Sequence, residues 1–434
     1  MFFKERIIMS KILVHISVLR SGEYDIFQPT DYKALKGLIV SNYNSSCPNI
    51  GNRLWFQGLI SEISTPENTI EYWDETLTPD QINERYDMLI APMANIFSVH
   101  FIELMRRFTS HIKGLRIPVF VIACGVQAAG ISGISNLIDV IRTPAYEMIK
   151  AVYETGGEFA LRGYVTKEFF EKMGFPSAVV TGCPSLYQCG RTSSLLNVDE
   201  KVSIELFKPA FNGNLGQQAT NMKKFPNSEF FDQENYFTIL HDPDFWKNNI
   251  SSGTLVKNFG FNNAEILTSG RVCLIADMGA WKSYLQANGF NFSYGSRIHG
   301  NIMPILSGIP AVLWAQDART SEIADFFGIP TVNTAAPNIY DIYMKADYSV
   351  YNRQFSKHFD DFEHFLKQHG IVSKINTDNK FLNKWSGLSY CPANSKKLRE
   401  MYLKIERHRT FYQVQQLFSS VYHKLRSRQE SKKG

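Results

Sequence analysis

A chain of 434 residues, 44% hydrophobic and 20% charged, fills a real core; this excludes a disordered or collagen-like polymer and, at roughly 100 to 200 residues per domain, calls for two or three domains. The net charge of +5 is unevenly placed. Residues 395–434 carry eleven lysines and arginines against Glu400, Glu406 and Glu430, which leaves the rest of the chain slightly acidic and disfavours a uniformly basic nucleic-acid binder. Cys47, Cys124, Cys183, Cys189, Cys273 and Cys391 form no C-x-x-C pair and do not read as a disulfide framework, so a reducing cytoplasm is expected.

Basic residues precede an apolar stretch near Met1, but Lys11 and His15 interrupt it and no small-residue cleavage site follows. Ile12 to Leu19 therefore predicts a first buried strand. Further strands are predicted at Met88 to Ala91, Val119 to Cys124, Glu158 to Leu161 and Ala178 to Val180, with helical stretches at Asn83 to Asp87, His100 to Phe108 and Thr166 to Met173. Gln188 to Asp199 reads as a linker. A second series follows: the alternating Val202 to Leu206, then Tyr236 to Leu240, Val272 to Ile275, Phe290 to Phe292 and Ala311 to Trp314. Asn212 to Phe225 is polar and poorly periodic, which predicts a long loop. Strands alternating with helices predict parallel sheets in an α/β fold: two Rossmann-like domains, 1–190 and 200–390, facing a cleft. No apolar run approaches the roughly 18 residues of a membrane-spanning helix.

From Ser395 onward apolar positions recur at three- and four-residue steps, which predicts a basic amphipathic helical tail over 395–434. One reading packs its apolar face on the domains. The other lays its basic face against an anionic membrane surface, where each basic residue gains roughly 1 kcal/mol.

Polar residues cluster where strands end and helices begin. Asn49, Gly51 and Asn52 precede the apolar-periodic Leu54, Trp55, Leu59, Ile60 and Ile63; such an element serves equally as an Asn-capped turn or as an anion cradle. Arg162 follows a short strand, at the edge where open α/β sheets bind ligands, with Thr166 placed to cap the next helix. The run Tyr294-Gly295-Ser296-Arg297-Ile298-His299-Gly300 puts one fixed cation and one titratable group at a single helix mouth, a poor place for a core histidine. After the strand ending at Trp314, Asp317 is placed to cap a helix and Arg319 to pair with Glu322 within it. His241, beside Asp242, is a further acid/base candidate that reads as well as a structural histidine. No cluster has zinc-ligand spacing, so no metal is expected.

With its S-R-x-H, the G-x-P at Gly308 to Pro310, the D-x-R at Asp317 to Arg319 and the Glu322…Gly328-Ile329-Pro330 end, the run from Ser296 to Pro330 resembles the polysaccharide pyruvyl transferase family. Asn49 to Asn52, Ile122 to Gly125 and Arg162 fall in the family's order, so that the resemblance covers 45–335. The chain departs from the pattern at Asn52, where aspartate is common, at Cys183-Pro184, where Asp-Pro is common, and at Arg319, where lysine is common.

The resemblance implies the two-domain GT-B-like architecture and transfer of the enolpyruvyl unit of phosphoenolpyruvate onto two hydroxyls of a sugar, forming a ketal and releasing phosphate. It makes phosphoenolpyruvate a co-substrate with no cofactor. It implies donor binding by Arg162, Arg297, Ser296, Asn49, Gly51 and Asn52, and catalysis by His299 as general acid with Arg297 stabilising the phosphate. Asn95, Gln127 and His241 are acceptor-binding candidates. The expected acceptor is a sugar or lipid-linked oligosaccharide in capsule or exopolysaccharide assembly, handled in the cytoplasm on the inner face of the membrane. A GT-B glycosyltransferase with a nucleotide-sugar donor is the alternative, although an acidic residue for ribose hydroxyls is not evident near Arg297.

Overall fold

The computed structural model describes residues 9–15, 51–73, 76–128, 133–193, 195–196, 201–233, 266, 269–275, 278–334, 337–375 and 389–390. The expected strand Tyr236 to Leu240, His241, Asn49 and the basic tail lie outside the described residues, as do the side chain of Asn52 and those of a few other residues in helices and strands.

The first sheet is wholly parallel. Its strands are β1 (Ser10–Val14), β2 (Asn68–Tyr72), β3 (Met88–Pro92), β4 (Val119–Cys124), β5 (Glu158–Leu161) and β6 (Val179–Val180), in the order β2-β1-β3-β4-β5-β6. Burial explains that order. The continuous apolar runs Met-Leu-Ile-Ala-Pro and Val-Phe-Val-Ile-Ala-Cys are buried at every position and occupy the middle, whereas the half-exposed Asn-Thr-Ile-Glu-Tyr forms an edge. Around it run α1 (Gly51–Ile63), α2 (Pro79–Arg85), α3 (Ile102–Ile112), α4 (Ile134–Glu154) and α5 (Tyr164–Lys172).

The second sheet joins β7 (Pro209–Asn212), β8 (Glu229–Phe231), β9 (Val272–Ile275), β10 (Phe292–Gly295), β11 (Ala311–Trp314), β12 (Thr331–Val332) and β13 (Ser389–Tyr390) in the order β12-β11-β10-β7-β8-β9-β13. Only β13 pairs antiparallel, at the edge against β9. The helices are α6 (Leu215–Lys224), α7 (Met278–Ala287), α8 (Ile298–Leu306), α9 (Ala318–Phe327), α10 (Ile339–Lys345) and α11 (Ser349–Gln368).

In each sheet the strand order reverses once, between β1 and β3 and between β7 and β10. In open α/β sheets the crevice beyond the carboxyl ends of the strands at that point is where ligands bind. One continuous apolar cluster ties the two halves together, running from Ile12 and Ile122 through Trp55 and Leu59 of α1 and Ile302 of α8 to Phe355 and Phe365 of α11. Helix α11 returns to the first sheet: Phe365 meets Phe120 edge-on at 6.4 Å between centroids, and Tyr187 stacks on Phe362 at 5.1 Å.

The structure corrects two expectations of local structure. Val202 to Leu206 forms a turn rather than a strand, and Ile204 and Leu206 of its alternating face are exposed. Asn212 to Phe225 is not a loop. It holds the end of β7 and then α6, capped by the Asn214 side chain, which accepts from the amides of Gly216 and Gln217. The buried face of α6 mixes Leu215, Ala219 and Met222 with Gln218 and Asn221, the last two joined amide to amide at 2.9 Å, so buried polar residues interrupt its short apolar stripe.

Candidate functional site

Strand ends from both sheets meet at a small cavity lined by Ala94, Asn95, Arg162, Gln233, Ser296, Arg297, Ile298, His299 and Arg319. Each residue arrives from just beyond a strand's carboxyl end: Ala94 and Asn95 after β3, Arg162 after β5, Gln233 after β8, Ser296 to His299 after β10, and Arg319 after β11. Three guanidiniums converge there and no carboxylate is among the described lining residues, a lining whose charge is complementary to an anion.

Arg162 is 1% exposed, yet it is a cation. Its Nε donates to the carbonyl of Ala123 at 3.3 Å, and its Nη2 has no hydrogen-bond partner. The carbonyl is aimed by an irregularity in β4, where the register with β5 shifts between Ile122 and Cys124 and Ala123 adopts φ 63°, a left-handed conformation that a non-glycine residue holds only under constraint. Gly125 leaves the space for this side chain, since a Cβ there would stand 2.7 Å from Arg162 Cδ.

Helix α8 opens at the cavity. Arg297 occupies its N-cap position without a side-chain cap, so the first-turn amides and the positive end of the helix face the space that an anion would fill. A buried amide network holds this turn. Asn212 Oδ1 accepts the Arg297 amide at 3.0 Å, and Asn212 Nδ2 donates to Asn301 Oδ1 at 3.1 Å. Asn301 Nδ2 donates in turn to the carbonyls of Gly295 and Arg297, both at 3.0 Å.

His299 is 6% exposed, and its Nε2 lies 3.9 Å from Cys183 Sγ. Burial first, then the charges of Arg162 and Arg319, push its pKa down to about 3. This corrects the expectation of an imidazole poised to give up a proton near neutral pH: in the unliganded protein His299 is neutral. Burial raises the Cys183 thiol, which rests 3.0 Å from Ser185 Oγ, and such a cysteine is not a thiolate nucleophile.

The sequence expectations for the α9 region and the helix after Arg162 also change. Asp317 does cap α9, accepting the Thr320 amide at 2.9 Å, but Arg319 pairs with Asp317 at 3.3 Å rather than with Glu322. Glu322 instead crosses to the other sheet's helix α5. There Thr166 is not the cap; Gly163 holds that position, and Thr166 donates its amide and its hydroxyl to Glu322.

Of the expected site residues, Arg162, Ser296, Arg297, His299 and Asn95 share the cavity. Gln127 stands behind, accepting from Asn95 Nδ2. Gly51 is the first residue of α1 and is not among the described lining residues; Asn49, the Asn52 side chain and His241 lie outside the described residues. Gln233 was missed, and the only signal for it in the sequence is its position after the apolar Phe230-Phe231. No group of three or more His, Cys, Asp or Glu able to hold a metal occurs among the described residues.

The polysaccharide pyruvyl transferase family model matches residues 95–317, just over half of the chain and a span that holds all of this cavity's residues except Ala94 and Arg319. The chain belongs to this family. No curated protein matches it. Among solved structures, this pyruvyl transferase family member is similar to the S. aureus MnaA-UDP co-structure at 11% identity, with 86% of this chain and 94% of that one covered and a TM-score of 0.35. It is also similar to UDP-GlcNAc 2-epimerase from Neisseria meningitidis bound to UDP-GlcNAc, at 11% identity, with 86% and 97% covered and a TM-score of 0.35. A third is a putative UDP-N-acetylglucosamine 2-epimerase from Listeria monocytogenes, at 10% identity, with 86% and 94% covered and a TM-score of 0.37. No described helix of this family member is long and apolar enough to cross a membrane.

Proposed function

We propose that the protein transfers the enolpyruvyl unit of phosphoenolpyruvate onto two hydroxyls of a sugar, in a polysaccharide or its lipid-linked precursor, forming a pyruvate ketal and releasing phosphate. The observation that carries this reading is the convergence of Arg162, Arg297 and Arg319 with one imidazole on a cavity with no carboxylate among its described lining residues. A small ligand bearing both a carboxylate and a phosphate suits three guanidiniums, each able to take two oxygens.

In this reading the ligand changes the state of His299. Its negative charges offset the guanidiniums that disfavour the imidazolium, and the imidazole takes up a proton on binding. It delivers that proton to the methylene carbon, which becomes the methyl group. The first sugar hydroxyl bonds through oxygen to the central carbon and returns its proton to the imidazole. The second hydroxyl closes the ring as the carbon–oxygen bond to phosphate breaks, and its proton leaves with the phosphate. The uncapped turn of α8 and Arg297 stabilise the charge on that leaving group. In this reading the reaction runs at the inner face of the membrane, an assignment supported by the basic composition of 395–434, which suits anionic head groups.

Titration calorimetry with phosphoenolpyruvate tests the donor. Saturable binding that is lost in Arg297→Ala is expected, whereas binding of a nucleotide sugar in its place would move the protein to glycosyl transfer.

A further inference from the structure

Gln233 is 3% exposed, lines the cavity, and neither its Oε1 nor its Nε2 has a hydrogen-bond partner. A buried primary amide left unpaired at both ends is costly, so natural structures seldom keep one without a use. The fold makes room for it. Gly300 sits inside the first turn of α8, beside His299, and a Cβ there would collide with Gln233 Nε2. A glycine inside a helix is itself unfavourable relative to alanine, yet at this position it lets the amide lie against the helix mouth.

We propose that Gln233 holds the attacking hydroxyl of the acceptor sugar, an inference that rests on the donor reading above. The argument is one of hydrogen-bond complementarity. Arginine side chains only donate, and ionised phosphoenolpyruvate only accepts, so the donor satisfies the guanidiniums and offers nothing to an amide oxygen. Gln233 Oε1 needs a hydrogen from a second molecule, and a sugar hydroxyl supplies one while its own oxygen stays free to attack. Asn95 is its counterpart from the first sheet. It lines the same cavity and donates Nδ2 to Gln127, which leaves its carbonyl oxygen to take the second hydroxyl.

The test is Gln233→Met, which keeps the volume and removes the amide. Three quantities are read: phosphoenolpyruvate affinity by calorimetry, melting temperature, and phosphate release from phosphoenolpyruvate across a panel of methyl hexopyranosides. Donor affinity should change by less than about threefold and the melting temperature should hold or rise, since an unsatisfied amide is gone. Glycoside-dependent phosphate release should fall about 30-fold or more, as it does when a group built to bind a hydroxyl is lost. A roughly tenfold loss of donor affinity with glycoside dependence intact would overturn the inference by assigning Gln233 to the donor. So would a variant that matches the unaltered protein in all three readouts, or release by the unaltered protein that depends on none of the glycosides. Failure of the unaltered protein to bind phosphoenolpyruvate would fail the donor reading itself, before any variant is made.

Discussion

Glu322 and Thr166, 156 residues apart, are joined by two hydrogen bonds: the Thr166 amide donates to Oε1 at 2.5 Å and its hydroxyl to Oε2 at 2.9 Å. The carboxylate thus caps α5 from the opposite sheet, doing what Gly163 cannot, and a Cβ at Gly163 would collide with it. Thr166 Oγ1 also accepts the Val126 amide at 3.1 Å. Since Arg162 lies just before α5 and Arg319 one turn before Glu322, this clasp sets the spacing of two of the three guanidiniums.

Replacing Glu322 with alanine leaves a buried amide and a hydroxyl without their acceptor, and should destabilise the protein by about 2–3 kcal/mol. Burial raises the Glu322 pKa to about 7 from an ordinary 4.5. The folded state therefore holds a proton that the unfolded chain releases, so this residue's contribution to stability falls as pH rises from 4.5 to 7 and is flat above. Denaturant titrations of Glu322→Gln should lack that slope; an unchanged slope would assign it elsewhere.

His299 is neutral above about pH 3 in the free protein. Phosphoenolpyruvate binding near neutral pH should then take up a proton, seen as a dependence of the calorimetric heat on the buffer's ionisation enthalpy. His299→Gln should bind the donor without that uptake and lose about 10²–10⁴ in turnover. Donor binding without proton uptake in the unaltered protein would remove the acid role.

Arg162→Lys keeps the charge and loses the planar fork. Phosphoenolpyruvate affinity should drop about 10- to 100-fold, the loss expected when a bidentate contact becomes a point charge. The melting temperature of the free protein should fall only slightly, because the long Nε bond to the Ala123 carbonyl is lost while Nη2 has no partner to lose. A large fall in melting temperature would make Arg162 a structural residue.

Glu62 in α1 is 3% exposed, and neither of its side-chain oxygens has a hydrogen-bond partner. Burial raises its pKa well above the ordinary value, so the acid is held neutral and its ionisation opposes folding. Glu62→Met should stabilise the protein by about 1–3 kcal/mol at pH 8, less as pH falls toward 4.5. Urea unfolding at the two pH values measures both.

Much of the parallel architecture was legible because it rests on local rules. Glu158–Leu161, Val272–Ile275 and Ala311–Trp314 stand where their apolar, β-branched and aromatic residues place them, bounded by turn residues. Helix α6 was not legible, because buried Gln218 and Asn221, bonded to each other, interrupt the short stripe of Leu215, Ala219 and Met222. Neither was the return of α11 to the first sheet, since an aromatic-rich amphipathic helix declares that it has a buried face and not which sheet covers it.

The same division holds at the cavity. Sequence alone determined which cations stand at strand ends, Arg162 and Arg297 among them, because a strand followed by a polar turn and a helix is a local pattern. Tertiary structure alone decided that His299 is neutral, that Glu322 caps α5 and that Gln233 lines the cavity unpaired. Each of these depends on desolvation and on partners far away in sequence. Burial and distance are properties of the folded arrangement, and no single segment carries them.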